Sequence, residues 1–499
     1  MSRALLAVLA VVVLAAACGG PTAPAPPPSP ATAVPAGPVT VLAQDRAVPL
    51  ALATSALLYR QAPIVVLVAE ADTAVQGRAA TAAEALGAPL LLTPTDTADD
   101  AAVRAELRRL GAGSVLAVGA DAQEWAERAG DLRVIAAPAD PASSPVPQEL
   151  ASARPAEPLD EVLVLAGPAP EQSAAVATAR AAGAQVQPTA GTDPRGEPEL
   201  VTRLAAAPPA AVVALGSAFG DPATLGRRLT VARTGVTLPG GGQLAFPGRR
   251  MVALYGNPTS PLLGALGEQG LPESVARAQA LAAQYQPFSD VPVVPAFEII
   301  TTVASTAPGP DGDFSNETEV AVLRPYVDAA RAAGMYVVLD LQPGRTDFLT
   351  QARRYAELLA EPHVGLALDP EWRLGPGQRH LAQIGSVGAD EVNAVVDWLA
   401  QLVRERSLPQ KVLVLHQFRT MMISERARVD TGRDEVAVLV HADGFGAMQD
   451  KLETWAALRA VPLAGARWGW KNFYDEDRPT PTPQATLEVS PEIVFVSYQ

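Results

Sequence analysis

The chain has 499 residues, a formal net charge of −15, 48% hydrophobic side chains and a single cysteine. That length suggests about two to four domains, and the acidic balance excludes the basic surface that nucleic-acid binding needs. One thiol rules out a disulfide or a cysteine metal site within the folded part.

The chain opens with Arg3, an apolar run over 4–17, and the small side chains Ala15, Ala16 and Ala17 directly before Cys18. This is the layout of a secretory signal. It falls short of the about 20 apolar residues of a membrane span, and no later segment supplies such a run. Residues 1–18 resemble the bacterial lipoprotein signal, with Ala15 where that pattern more often has Leu. The resemblance implies lipid on Cys18 and an extracytoplasmic protein tethered to the outer face of the cell membrane. Residues 19–38, rich in Pro and Ala, cannot bury a core and read as an extended spacer.

Next come IVVLVAEA (64–71), PLLLT (89–93) and SVLAVG (114–119), separated by helical stretches that end AEALGA (83–88) and AELRRLGA (105–112). After a Pro-rich linker over 136–158, EVLVLAG (161–167) and AVVALG (211–216) repeat the pattern. Short continuous apolar runs alternating with amphipathic helices indicate parallel strands covered on both faces. Two small doubly wound α/β lobes are therefore expected, over 39–135 and 159–245. The first resembles the bacterial cell wall-binding repeat 2 family through ALGAPLLLT (85–93), V-x-x-E-L-x-R-L-G-A (103–112) and V-L-A-V-G (115–119). The resemblance covers roughly 45–135 and extends more weakly over 160–235. It implies contact with a cell-wall polysaccharide or peptidoglycan. No G-x-G-x-x-G opens a helix, and no cofactor is expected.

After Arg250 the composition changes: all four His, all four Asn, five of six Trp and seven of eight Tyr lie there. Eight strand-like runs follow, at 251–256, 291–300, 335–341, 364–369, 411–417, 436–442, 466–470 and 492–498. Helical patterns separate most of them, at 273–285, 319–334, 348–360, 389–406 and 448–460. Eight alternations over residues 250–499 predict a C-terminal (β/α)8 TIM-like barrel, whose functional face is the C-terminal ends of its strands. The connection after the fifth strand and the stretch from Asn472 to Ser490 show no obvious helix.

Nearly every strand end carries a hydrogen-bonding or ionisable residue. In order these are Tyr255 and Asn257, Glu298, Asp340 and Gln342, Asp369 and Glu371, His416 and Gln417, His441 and Asp443, Trp468, Trp470 and Lys471, and Tyr498. Polar groups are costly to bury without partners, so a ligand or catalytic pocket is expected. In LALDPEW (366–372) an extended backbone would place Asp369 and Glu371 on one face. These few residues weakly resemble the D-x-E strand end of chitinase-type family 18 glycosidases. The resemblance implies Glu371 as acid and Asp369 as the group that orients a substrate N-acetyl; Asp340 and Glu298, from the neighbouring strands, are next in line. Alternatively Glu298, Asp340, His416, His441 and Asp443 could share a divalent ion as in a metal-dependent hydrolase or isomerase, or the chain could be a non-catalytic adhesion protein. Trp468 and Trp470 read as a platform for a sugar ring, and Asp475, Glu476 and Asp477 as a solvated loop tip. His363 and His380 fall outside strand ends and read as structural.

Overall fold

A computed structural model describes residues 29–150 and 155–499; Cys18 and the rest of the signal lie outside them. The described chain gathers into two compact units. One is built on Arg46–Asp160 with Ser173–Gln185, the other on Ala36–Asp45, Glu161–Gln172 and Val186–Gln499.

The first unit holds a four-stranded parallel sheet in the order Leu90–Thr93, Ile64–Ala69, Ser114–Val118, Arg133–Ala136. The first three strands are almost wholly buried, as uninterrupted aliphatic runs require when helices cover both faces. Helix Thr73–Leu86 stops at Gly87, whose φ of +60° is the left-handed cap that the AEALGA ending favours. Helix Ser173–Ala181, expected in the second lobe, belongs to this unit. Its Thr178 hydroxyl accepts from the Leu90 amide (3.0 Å) and donates to the Leu90 carbonyl (3.1 Å) at the sheet edge.

The second sheet runs Val39–Leu42, Ala211–Leu215, Val162–Ala166, Gln185–Pro188. Val39–Leu42, expected to open the first lobe, instead pairs in parallel with Ala211–Leu215. Strand partnership is a long-range choice that the local apolar pattern does not encode.

The barrel is closed. Arg250–Gly256, Val293–Ala304, Tyr336–Leu341, Val364–Leu368, Lys411–Gln417, Val436–Ala442, Arg467–Asn472 and Ile493–Tyr498 pair in sequence order, all parallel, and the eighth returns to the first. Helices stand outside, the longest being Ala389–Arg406. The fifth-to-sixth connection has no α-helix; buried Arg426 braces it by donating to Gln417 Oε1 (2.7 Å) and to the Leu458 and Val461 carbonyls. The seventh-to-eighth connection contains a short helix, Pro483–Val489, which sequence periodicity did not reveal. The lower interior is packed by Met251, Ala253, Val294, Ala296, Tyr336 and Phe495, and plugged by Leu238, Ala245 and Phe246 from the segment preceding the first strand. The barrel's own core thus begins before residue 250.

Candidate active site

Strand side chains alternate between the two faces of a sheet, and this sorts the polar strand ends. Following the inward series 251, 253, 255 and its equivalents upward from the apolar interior, each strand delivers an ionisable or hydrogen-bonding group to one layer. Those groups are Tyr255, Glu298, Asp340, Asp369, His416, His441, Lys471 and Ser497. All eight are buried, with Glu298, Asp340, His416 and His441 at 0% exposure.

The layer is a connected charge network. His416 lies 2.9 Å from Glu298 through Nε2 and 3.1 Å from Asp443 through Nδ1, with Asp340 3.9 Å away. Tyr255 donates its hydroxyl to Asp340 (2.9 Å). The Lys471 ammonium sits 3.6 Å from the Tyr255 ring centroid and 3.4 Å from Asp443. His441 packs edge-on against His416 and reaches Ser497 Oγ at 3.3 Å.

Environment pushes these groups apart. Burial raises Glu298, but His416 outweighs it and holds the carboxyl below its usual range. Burial also opposes the charge on Asp443, yet Lys471 and His416 keep it well below. Burial lowers His416, but the charges of Glu298 and Asp340 lift it well above an ordinary histidine. Burial brings His441 down to about 3, reinforced by cationic His416, so its ring is neutral. Burial pushes Asp340 up to about 6, and burial with the Asp340 charge pushes Asp369 well up. Glu371 is pushed up to about 7, by burial first and by the Asp443 charge second.

Above this floor is a cavity of about 350 Å³, walled by Tyr255, Asp369, Glu371, Asp443 and Lys471 together with Trp372, Phe418, Phe445 and Phe473. Glu298 and Asp340 lie beneath it rather than on its wall. Asp369 and Glu371 both reach the cavity, but not by the extended geometry expected. Pro370–Trp372 is a single 3-10 turn, and Asp369 caps it by accepting the Glu371 amide at 3.2 Å.

Other candidates separate. Gln342 lines the cavity while accepting from the Ala304 amide. Asn257 ties down its own loop through Ile300 and Thr259, and Gln417 braces Arg426. Trp468 and Trp470 are outward residues of their strand, stacked edge-on against Trp455 under the outer helix Met448–Arg459; neither faces the cavity. Tyr498 likewise points outward and bonds Tyr285 (2.6 Å). The inward partner of each pair, Lys471 or Ser497, takes the site position instead. His363 bonds the Val327 carbonyl and His380 the Phe314 carbonyl, both structural contacts. Asp477 is not solvated: it is 5% exposed and pairs with buried Lys451 at 2.9 Å. That lysine also donates to the Gly444 and Lys471 carbonyls, clamping two mouth loops. Phe418, Phe445 and Phe473 were missed by sequence reasoning, although each lies within two residues of a named strand-end group.

Both His416 nitrogens are taken by carboxylates, which leaves none for a metal. Among the described residues, the trio of acid or imidazole groups whose ligand atoms lie within 4.8 Å of one another is Asp311, Asp313 and Glu317, in and beside the short strand Ser315–Glu317 and outside this layer.

Fold and site together define a (β/α)8 barrel with an ionisable, aromatic-rimmed mouth. No protein-family model and no curated protein matches the chain. Among solved structures, Cwp6 from Clostridium difficile aligns with 55% of this chain and 64% of its own length, at 13% identity and a TM-score of 0.31. Cwp8 from Clostridium difficile aligns with 44% and 40%, at 19% identity and a TM-score of 0.20. The chain therefore spans less than two thirds of either protein, and likenesses this low assign neither fold nor role.

Proposed function

We propose that the barrel hydrolyses a glycosidic bond in a cell-wall glycan, with Glu371 as general acid and Asp443 as the carboxylate that faces the developing positive charge. One observation carries this reading. Two carboxyls on one cavity wall are driven apart, Glu371 up to about 7 and Asp443 well below the usual range. A proton donor beside a fixed anion is the division of labour that glycoside hydrolysis needs. Aromatic side chains around a few polar groups suit the apolar faces and hydroxyl edges of sugar rings. In the reaction Glu371 gives its proton to the bridging oxygen, and the C1–O bond breaks with its electron pair on that oxygen. Water then adds hydroxide to C1 and returns a proton to the Glu371 carboxylate. Lys471 and His416 keep Asp443 ionised throughout. Asp369 positions Glu371 through its backbone amide, and Glu298 and Asp340 position His416 and Tyr255.

The setting we infer is extracytoplasmic, with lipid on Cys18 holding the chain to the outer face of the membrane and the first lobe contacting wall polymer. The signal-like 1–18 segment and the repeat-like motifs of 85–119 support it. No described helix is long and apolar enough to cross a membrane.

The test is turnover of fluorescently labelled wall glycans by the full chain and by Glu371→Gln. Loss of a general acid lowers turnover by about 10² to 10⁴ while ligand binding persists. Full activity in Glu371→Gln, or loss of wild-type activity on chelation, would overturn the assignment.

A further inference from the structure

We propose that the cleft continues past Glu371 into a second cavity that holds the departing sugar. This rests on the hydrolytic reading above. Glu371 and Trp372 are walls of two cavities at once. One is the mouth; the other, about 260 Å³, is completed by Leu381, Ala382, Gln383 and Ile384. A general acid sits beside the bridging oxygen, with one sugar on each side of the bond it breaks. Room on both sides of Glu371 therefore accommodates the sugar on each side of that bond.

The second cavity is tied to the acid. The Gly385 amide donates to the Glu371 carbonyl at 2.7 Å, while the Asp369 carboxylate accepts the Glu371 amide. At Gly385 a Cβ would lie 2.4 Å from the Glu371 carbonyl oxygen, so only glycine lets this segment rest on the turn. Leu381, at its outer lip, has φ +63° and is 81% exposed. A bulky side chain rarely adopts that conformation, and such strain concentrates at functional sites. Here it holds an apolar side chain among the walls of the second cavity.

Chemistry separates the two sides. The mouth presents Asp369, Asp443 and Lys471, whereas the second cavity presents Trp372, Leu381, Ile384 and the Gln383 amide, with Glu371 at the junction. The Trp372 ring face beside the Gln383 amide, with no charged side chain other than the shared Glu371, fits an uncharged pyranose. As the C1–O bond breaks over Glu371, the departing sugar takes the acid's proton on its oxygen and leaves as an alcohol from this side, while water supplies the hydroxyl at C1.

The experiment digests size-defined glycan strands, prepared from peptidoglycan freed of its stem peptides and labelled at the reducing end, with the full chain. Product lengths are followed over time for wild type, Ala382→Trp and a control, Val322→Ala, on an outer helix. Shortened labelled products are expected from wild type. Ala382→Trp, whose indole fills the second cavity from an exposed position, should slow turnover at least tenfold while the control does not. Wild-type turnover by Ala382→Trp overturns the second subsite and leaves the hydrolytic reading intact. Wild type as inert as Glu371→Gln on the strands overturns both.

Discussion

Replacing His416 by glutamine tests the floor of the mouth directly. A neutral imidazole has one N–H, yet both ring nitrogens of His416 face carboxylates, at 2.9 and 3.1 Å, with no solvent exposure. The ring must therefore be the imidazolium, donating to Glu298 and Asp443 together. Hydrogen bonds involving a charged group contribute about 1.5–3 kcal/mol each, so losing two sets a penalty of about 3–6 kcal/mol near pH 7. Breaking a buried ion pair by removing one partner gives a similar figure, about 3–5 kcal/mol. The penalty also has a pH signature. Glu298 and Asp443 are held low, so their contribution is present above the ordinary carboxylate range and is lost as pH falls through their depressed values. His416 is held high, so its contribution is complete below about 6.5 and is lost as pH rises through its elevated value. Without the cation, burial raises Glu298, which then takes up a proton on mild acidification. The penalty in His416→Gln should accordingly be smaller at pH 5 than at pH 7. Urea unfolding followed by tryptophan fluorescence reads this out, because five of the six tryptophans lie in the barrel region. A penalty below about 1 kcal/mol at pH 7, or one that is equal at the two pH values, would refute the imidazolium clamp.

As an acid that is active when protonated, Glu371 should make kcat/KM decline as pH rises through about 7. Asp443→Asn removes the second cause of that elevation and should move this limb to lower pH; a limb that stays or moves upward contradicts the pairing. A segment starting at Arg250 lacks the Leu238, Ala245 and Phe246 plug, so residues 236–499 should melt at a higher temperature by circular dichroism than 250–499. Equal melting would show that the plug contributes nothing. Cys18→Ala should abolish incorporation of a fatty-acid probe, and persistent labelling would remove the proposed anchor.

Much of this molecule was legible locally. Eight barrel strands and five of the outer helices follow from apolar periodicity, because burial on both faces writes continuous runs such as KVLVL and half-burial writes helical stripes. The short helix Pro483–Val489 escaped for the same reason: seven residues give the period too little length to register. Residue chemistry also singled out Glu298, Asp340, Asp369, His416, His441 and Lys471, which barrel closure gathers into one buried layer.

What the sequence left open was the side of the strand on which each group lies and the partner it meets. Lys471 enters the site while Trp468 and Trp470 leave it, because a strand alternates faces and only barrel closure decides which face is inside. Asp477 reads as a solvated acid in its own loop, yet Lys451 arrives from the preceding helix to bury it. Val39–Leu42 lies beside Ala211–Leu215, a pairing that no local pattern specifies. The difference between Glu371 and Asp443 is likewise a property of the assembled mouth: burial opposes the charge on both, and closure sets Lys471 and His416 against Asp443 while Glu371 meets the Asp443 charge.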